Sequence, residues 1–232
     1  DLPLYCSAMG RKTLQGQYHK DWNFQVVKTG DTLDLGERQL IFIETPMLHW
    51  PDTMTAYLEK EKMFFSSDIF GQHIASEFMY DDMTDISELM WEAMKYYTNI
   101  IAPFASKVKK SLAEIKEMNL PVNLICPAHG VMWRSGIKDI FDTYQEWADS
   151  YAEEQITIIY DTMYNSTRLM AEEIAKGIKA ADSEVLIKIF NSANSDLSDI
   201  LTEVFRSKGV LIGSPTYNYG VLASTASLLE EI

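Results

Sequence analysis

From Gln155 to the end, short apolar runs alternate with amphipathic stretches, and the connections between them are too short for most ways of packing such segments. Gln155–Tyr160 (QITIIY) reads as a buried strand, Asp161–Ser166 as a polar turn and Thr167–Lys179 as an amphipathic helix. Glu184–Phe190 is the second strand, Ser195–Arg206 the second helix and Gly209–Gly213 (GVLIG) the third strand; Val221–Ile232 opens a third helix. A β-α-β-α-β-α order with short links requires a parallel sheet with right-handed crossovers, the third strand lying beside the first. Three strands are too few to complete a doubly wound domain, so the sequence is expected to stop midway through one.

The preceding residues follow a different pattern. Gln39–Thr45, Thr53–Leu58 and Lys62–Ser67 are short β-branched or aromatic runs, and Val122–Cys126 is a fourth, closed by Pro127. Asp85–Asn119 favours helix with apolar residues at helical spacing, and Pro103 divides it into two helices. Ile137–Tyr151 is a further helix leading out of this region. The boundary falls at Glu153-Glu154, giving one domain over 1–152 and a second over 153–232.

Charge narrows the function. With 34 acidic against 20 basic residues, the formal net charge is −14, which disfavours nucleic acid and anionic membrane as partners, since both need clustered Lys and Arg. No apolar run is long enough to span a bilayer. The two cysteines, Cys6 and Cys126, are far apart and form no CxxC, which excludes a disulfide framework and fits a reducing, cytoplasmic setting.

Three residues share one context. His49 follows the strand Gln39–Thr45 in TPMLHWPD, Asp68 follows Lys62–Ser67 in FFSSDIFGQH, and His129 follows Val122–Cys126 in ICPAHG. Loops at strand ends are where sheets of this type build sites, and imidazole with carboxylate suits zinc or iron. Taken singly, a histidine beside a strand is commonly structural and an aspartate there commonly caps a turn; the signal is the threefold repetition. His73 reads as a structural neighbour of the site and His19 as a surface residue. Trp50, Trp133 and the twelve methionines read as core packing.

In the second unit, the turn Asp161–Thr167 (DTMYNST) before a helix offers hydroxyls and backbone N–H groups to a phosphate at the positive helix end. It lacks the GxxxxGK[ST] of a nucleoside-triphosphate loop and the GxGxxG of a dinucleotide site. A simple capped helix start, with Ser or Thr at the cap, reads equally well from the turn alone. The later loop Gly213–Gly220 (GSPTYNYG) is Pro- and Gly-rich with two tyrosines.

The series HWPD, SSDxFGQH and CPAHG, continued into a strand-turn-helix with DTMYNST, resembles the flavodiiron protein family across essentially the whole chain. The resemblance implies an α/β fold: the C-terminal part of a metallo-β-lactamase-like αββα domain, then the first half of a flavodoxin-like doubly wound parallel sheet. It implies that His49, Asp68 and His129 are iron ligands, with Asp68 bridging two Fe ions, and that an H-x-E-x-D motif supplies the other ligands upstream, since none occurs in this sequence. It implies FMN held at its phosphate by Thr162, Met163, Asn165, Ser166 and Thr167, where Tyr164-Asn165-Ser166 replaces the Thr-Gly-Asn of the common flavodoxin loop. The ring would lie against Pro215, Thr216, Tyr217, Asn218, Tyr219 and Gly220. The implied activity is reduction of O2 to water or NO to N2O, with electrons from rubredoxin, a reduced deazaflavin or a reductase. The implied assembly is a head-to-tail homodimer or a dimer of dimers. Two rivals remain: a zinc hydrolase on the metallo-β-lactamase fold, and a flavodoxin-type electron carrier joined to an inactive metal domain.

Overall fold

The computed structural model describes residues 2–232, which divide into one compact unit ending at Asp149 and another spanning Ser150–Ile232. In the first, β1 (Leu4–Cys6) and β2 (Phe24–Val26) pair in parallel around α1 (Ala8–Tyr18), which is capped by the Ser7 hydroxyl accepting from Gly10 N at 3.0 Å. The main sheet runs β3 (Thr32–Asp34), β4 (Gln39–Glu44), β5 (Met54–Leu58), β6 (Met63–Ser67) and β7 (Leu124–Pro127) in that order. All neighbours are antiparallel except β6 and β7, which are parallel. That parallel step needs a long crossover, supplied by α2 (Ile86–Tyr96) and α3 (Ala105–Glu117); α4 (Ile137–Ala148) follows β7.

Alternation sets the two faces of this sheet. The cross-strand row Tyr57–Phe64–Ile125 is buried, each member of it removing an aromatic or branched side chain from water, worth about 1.5–3 kcal/mol apiece. The neighbouring row Ala56–Phe65–Cys126 points the other way, and Phe65 stays 39% exposed. Behind the first face lies an aromatic cluster: Phe70 against Tyr144, Tyr144 against Tyr97, and Tyr97 against Trp147, with centroids 4.7–5.2 Å apart.

Asp85 starts α2 by accepting from Ser87 and Glu88 backbone N–H, as its position before the apolar run anticipates. The helix does not stop cleanly at Pro103. It widens to a π turn over Tyr97–Ile101, tightens to a 3-10 turn over Ala102–Phe104, and resumes as α3. Proline removes one backbone donor and crowds the preceding turn, and the irregular turns absorb both effects.

The second unit holds β8 (Glu153–Tyr160), α5 (Ser166–Ala181), β9 (Leu186–Asn191), α6 (Leu197–Arg206), β10 (Ser207–Gly213) and α7 (Ala223–Glu231). Its sheet is parallel in the order β10-β8-β9, so the third strand does lie beside the first. Ile159, Ile200 and Leu228 are buried together, with Phe190, Leu201 and Val204 packed against them. At the opposite end from the loops, Arg206 grips Glu153 through two N–H groups at 2.8 and 2.9 Å, and the buried Glu203 carboxylate accepts from Gln155 Nε2 at 2.7 Å.

Several sequence expectations need correction. Trp50 is 60% exposed rather than core, because it sits on the loop beyond β4, whereas Trp133 is fully buried. Among the described residues Met94 is the one buried methionine; Met9, Met79, Met83, Met163 and Met170 are exposed and the remaining six half-buried, so the methionines are not core filler as a group. The helix expected over Ile137–Tyr151 ends at Ala148, and the strand expected from Gln155 begins at Glu153.

Candidate metal centre and flavin loops

The ligand-type residues of the first unit sit on loops that follow β4, β6 and β7, and two of their side chains, His49 and Asp68, meet directly. Asp68 leaves β6 directly, His49 lies on the loop between β4 and β5, and His129 follows β7. Ala128 N donates to Ser67 O at 2.7 Å, so the chain carrying His129 is tied to the residue before Asp68. His49 Nε2 stands 3.5 Å from Asp68 Oδ2, both side chains about three-quarters buried. Trp50 lies against the His49 ring at 5.8 Å.

His129 is held from several sides. Its Nδ1 is 3.2 Å from the Gln72 carbonyl, which can only accept, so Nδ1 is the donor of this contact and Nε2 is the nitrogen left for other partners. The Tyr96 ring meets it edge-on at 4.7 Å and the His73 ring at 4.9 Å. Desolvation, then the neighbouring His129, lowers the His73 pKa against an opposing pull from Glu92. A Cβ built on Gly71 would lie 2.5 Å from His129 Cε1, so this imidazole occupies the space that only glycine leaves.

Tyr96 joins the two halves of the cluster. It is 3% exposed, and its hydroxyl has no hydrogen-bond partner among the described residues. Burial first, and the charge of Asp68 second, raise its pKa, so the phenol keeps its proton. A buried donor without an acceptor costs about 1–3 kcal/mol, a cost that a group bound beside Asp68 would remove. Among the described residues, no three His, Cys, Asp or Glu side chains converge on one point. By donor chemistry two imidazoles and a carboxylate suit zinc or iron, and the directly paired donors are His49 and Asp68. His19 lies on the surface, as expected, and a groove of about 560 Å³ between α3 and α4 is lined by none of the ligand-type side chains.

In the second unit both candidate loops leave the C-terminal ends of adjacent strands. Tyr160 pairs with Gly213, and Asp161 N donates to Gly213 O at 2.9 Å. Asp161 accepts from Thr162 N at 2.7 Å and from the Ser224 hydroxyl at the start of α7. The Thr162 hydroxyl is buried without a partner. Asn165 caps α5 in a left-handed conformation, φ 65°, and its side chain makes no capping bond. Neither Ser nor Thr takes the cap: Ser166 and Thr167 form the first turn of the helix, while Met163 is exposed on the turn. In the second loop, after Pro215 and Thr216, Tyr217 and Gly220 exchange two backbone hydrogen bonds of 2.9 Å around Asn218 and Tyr219, both at positive φ. Ser214 Oγ accepts from Leu222 N at 3.0 Å and closes the loop, leaving Tyr217 and Tyr219 exposed.

Tyr96, Gln72 and Ser224 were not legible in the sequence, whereas Asp161 and Ser214 fall within the two loops it singled out. Gly71 and Gly130 were the available signal for Gln72, two glycines flanking ligand-type residues; a tyrosine at the end of an amphipathic helix carries no signal at all.

A mixed sheet with ligand-type residues at its strand ends, followed by a parallel three-stranded sheet with two loops at neighbouring strand ends, defines the class: a β-lactamase-type domain fused to a flavodoxin-type domain. The family described as ODP family beta lactamase matches residues 4–130, and flavodoxin matches residues 158–231. Anaerobic nitric oxide reductase flavorubredoxin of Klebsiella pneumoniae subsp. pneumoniae is 50% identical over all of this chain and 48% of its own length; the protein of that name from Escherichia coli O1:K1 is 50% identical over 49% of its length. The chain thus spans about half the length of these curated relatives. Rubredoxin oxygen:oxidoreductase from Desulfovibrio gigas superposes with a TM-score of 0.95 at 35% identity, over 99% of this chain and 58% of that one. The flavodiiron protein of Giardia intestinalis gives 0.92 at 28% identity, over 99% and 56%. The chain belongs to the flavodiiron protein family.

Proposed function

We propose that this chain is the part of a flavodiiron oxidoreductase that carries one flank of the di-iron centre and the first two FMN loops, and that the enzyme reduces NO to N2O. The observation that carries the reading is the Tyr96 hydroxyl, buried without a partner, under the charge of Asp68 and packed on His129. The nitric oxide reductase name of relatives at 50% identity favours NO; the oxygen:oxidoreductase at 35% identity supports O2 reduction to water as a second activity. Both names contain rubredoxin, which supports a rubredoxin-type electron donor.

Asp68, His49 and His129 would hold the iron pair, with Asp68 as the shared carboxylate and further ligands completing the set. A bound iron pair would supply a redox-active site for a diatomic, and bound FMN the electrons, one at a time. Conversion of two NO to N2O and water consumes two electrons and two protons. Tyr96, kept protonated by burial and by the charge of Asp68, is placed to donate a hydrogen bond to negative charge developing on a bound oxygen. His129 is fixed by Gln72 with Nε2 free to ligate. In the second unit, the buried Thr162 hydroxyl, the amides after Asn165 and the hydroxyls of Ser166 and Thr167 would receive one terminal phosphate at the helix end, which suits FMN rather than FAD or a nucleoside triphosphate. A head-to-tail dimer would bring the flavin of one subunit to the irons of another. Two free cysteines, Cys6 and Cys126, suit a reducing setting such as the cytoplasm; among the described residues no helix is long and apolar enough to cross a membrane.

The test is made on the full-length protein. Metal analysis is expected to find two irons per chain, extraction to release FMN, and Tyr96→Phe to lower NO turnover by about 10²-fold while iron and flavin contents stay unchanged. Zinc without iron, or FAD in the extract, overturns the reading.

A further inference from the structure

We propose that Gln72 is a positioning residue that sets the distance and orientation between the Asp68 and His129 ligand loops, and thereby the metal affinity of the centre. The inference rests on the di-iron reading above and deepens it. Gln72 is 1% exposed and contributes no ligand atom to the cluster. Its side-chain amide spans the two loops. Nε2 donates to Phe70 O at 2.6 Å, two residues after Asp68, and more weakly to Val131 O at 3.4 Å, two residues after His129. Oε1 accepts from Val131 N at 2.8 Å. The Gln72 backbone carbonyl receives His129 Nδ1 at 3.2 Å, so the same residue holds Nδ1 as the donor.

Two glycines make this junction possible. Gly130 has φ +82°, and a Cβ there would fall 2.1 Å from Gln72 Oε1; a Cβ on Gly71 would collide with the His129 ring. At this junction the Gln72 amide meets the backbone of the His129 loop with no side chain between them, beside the Ala128 N to Ser67 O and Trp133 Nε1 to Phe70 O bonds of 2.7 and 2.9 Å. Only a primary amide of this length satisfies the arrangement, since it must give protons to two carbonyls and take one from an amide N–H. Leucine leaves the Val131 N–H and C=O without the Gln72 amide and Phe70 O with only the Trp133 indole N–H at 2.9 Å. Glutamate sets a carboxylate against the carbonyls of Phe70 and Val131. Asparagine is one methylene short of spanning the gap. Partners of metal-binding histidines that fix ring orientation typically change metal affinity about 10–100-fold when altered, and Gln72 governs the histidine and the carboxylate loop together.

The experiment uses the full-length protein stripped of metal and titrated with Co(II), whose visible absorption reports ligand geometry. Wild type, Gln72→Leu, Gln72→Glu and Gln72→Asn are compared with Ile140→Val, a buried core change in α4 that touches none of the Gln72 hydrogen bonds. The Gln72 variants are expected to bind Co(II) about 10–100-fold more weakly with an altered visible spectrum, their FMN content unchanged. Ile140→Val is expected to lower thermal stability and leave midpoint and spectrum alone. Any folded Gln72 variant with the wild-type midpoint and spectrum overturns the proposal, and Gln72→Asn serves should the other two not fold. A change in spectrum shared by Ile140→Val also overturns it, because the effect is then general loosening. Wild type that takes up no Co(II) defeats the metal-centre reading itself, a result distinct from either.

Discussion

Gly71 has no room for a side chain, and the obstruction is the ring of His129 itself. Gly71→Ala is expected to push the imidazole aside, at about 1–3 kcal/mol of overpacking, and to lower metal content more than stability. Thermal melting paired with metal analysis checks it; an unchanged metal content would show that His129 is not a ligand. Asp68→Asn keeps the shape and removes the charge that faces His49 at 3.5 Å. It is expected to weaken metal binding beyond the roughly 10–100-fold cost of disturbing a residue outside the ligand set, and full occupancy in that variant would remove the bridging role. His49, Asp68 and His129 stood out in the sequence because ligand-type residues repeated at three strand ends, and the structure sets the first two 3.5 Å apart. Tyr96 was not, because its value comes from burial and from a carboxylate twenty-eight positions earlier in the chain. Trp50 misled for the opposite reason: a large apolar residue on a loop looks like core until the loop is placed.

At the scale of elements, periodicity did most of the work. Strands β4 to β7 and β8 to β10 were readable from apolar runs bounded by turn residues, and the alternation of the last six elements fixed their parallel pairing. The short strands β1 and β2 were not readable, since three residues are too few to show a period. The π and 3-10 turns between α2 and α3 were not readable either; Pro103 marks a break but not how the backbone accommodates it. The start of α5 depends on Asn165 in the left-handed region, where asparagine is tolerated and branched residues are not. Asn165→Val is expected to cost about 1–2 kcal/mol in this turn and to weaken FMN binding roughly tenfold, whereas Asn165→Gly should bind as wild type. Fluorescence titration with FMN separates them, and equal affinity in all three would mean the turn does not hold the phosphate. At the other end of the same sheet, hydrogen bonds from Arg206 first, offset by burial and aided by Tyr151, depress the Glu153 pKa. A depressed folded-state carboxyl contributes stability above its unfolded pKa and loses it as pH falls through the folded value. Unfolding of the second unit is therefore expected to ease below about pH 4.5, and Glu153→Gln to flatten that dependence. A Glu153→Gln variant with the wild-type acid limb would assign it to other carboxylates.

The whole molecule leaves surfaces that isolated domains of these folds ordinarily cover. In the first unit, the face carrying Phe65 is only partly buried, which suits a sheet built to be packed from both sides. In the second, β10 pairs only with β8 among the described residues, so one full row of its backbone N–H and C=O groups faces outward. Along it Val210, Leu211 and Ile212 are each more than a third exposed. The only charge on the strand is Lys208 near its start, already paired with Glu154, so nothing blunts the edge further along. An exposed apolar edge without a central charge or proline is a template for pairing with another strand. The net charge of −14 opposes association at a distance, but that repulsion is screened within about 8 Å at physiological salt and does not act against contact of two edges. The 232-residue chain is therefore expected to self-associate as its concentration rises, more strongly in higher salt. Leu211→Lys, which puts a charge in the middle of the edge, should restore the monomer, and a longer chain able to lay a further strand beside β10 should not associate through this edge at all. Sedimentation velocity over a concentration series reads all three. A 232-residue chain that sediments as a monomer throughout, or a Leu211→Lys variant that associates unchanged, would show that the β10 edge is not the contact.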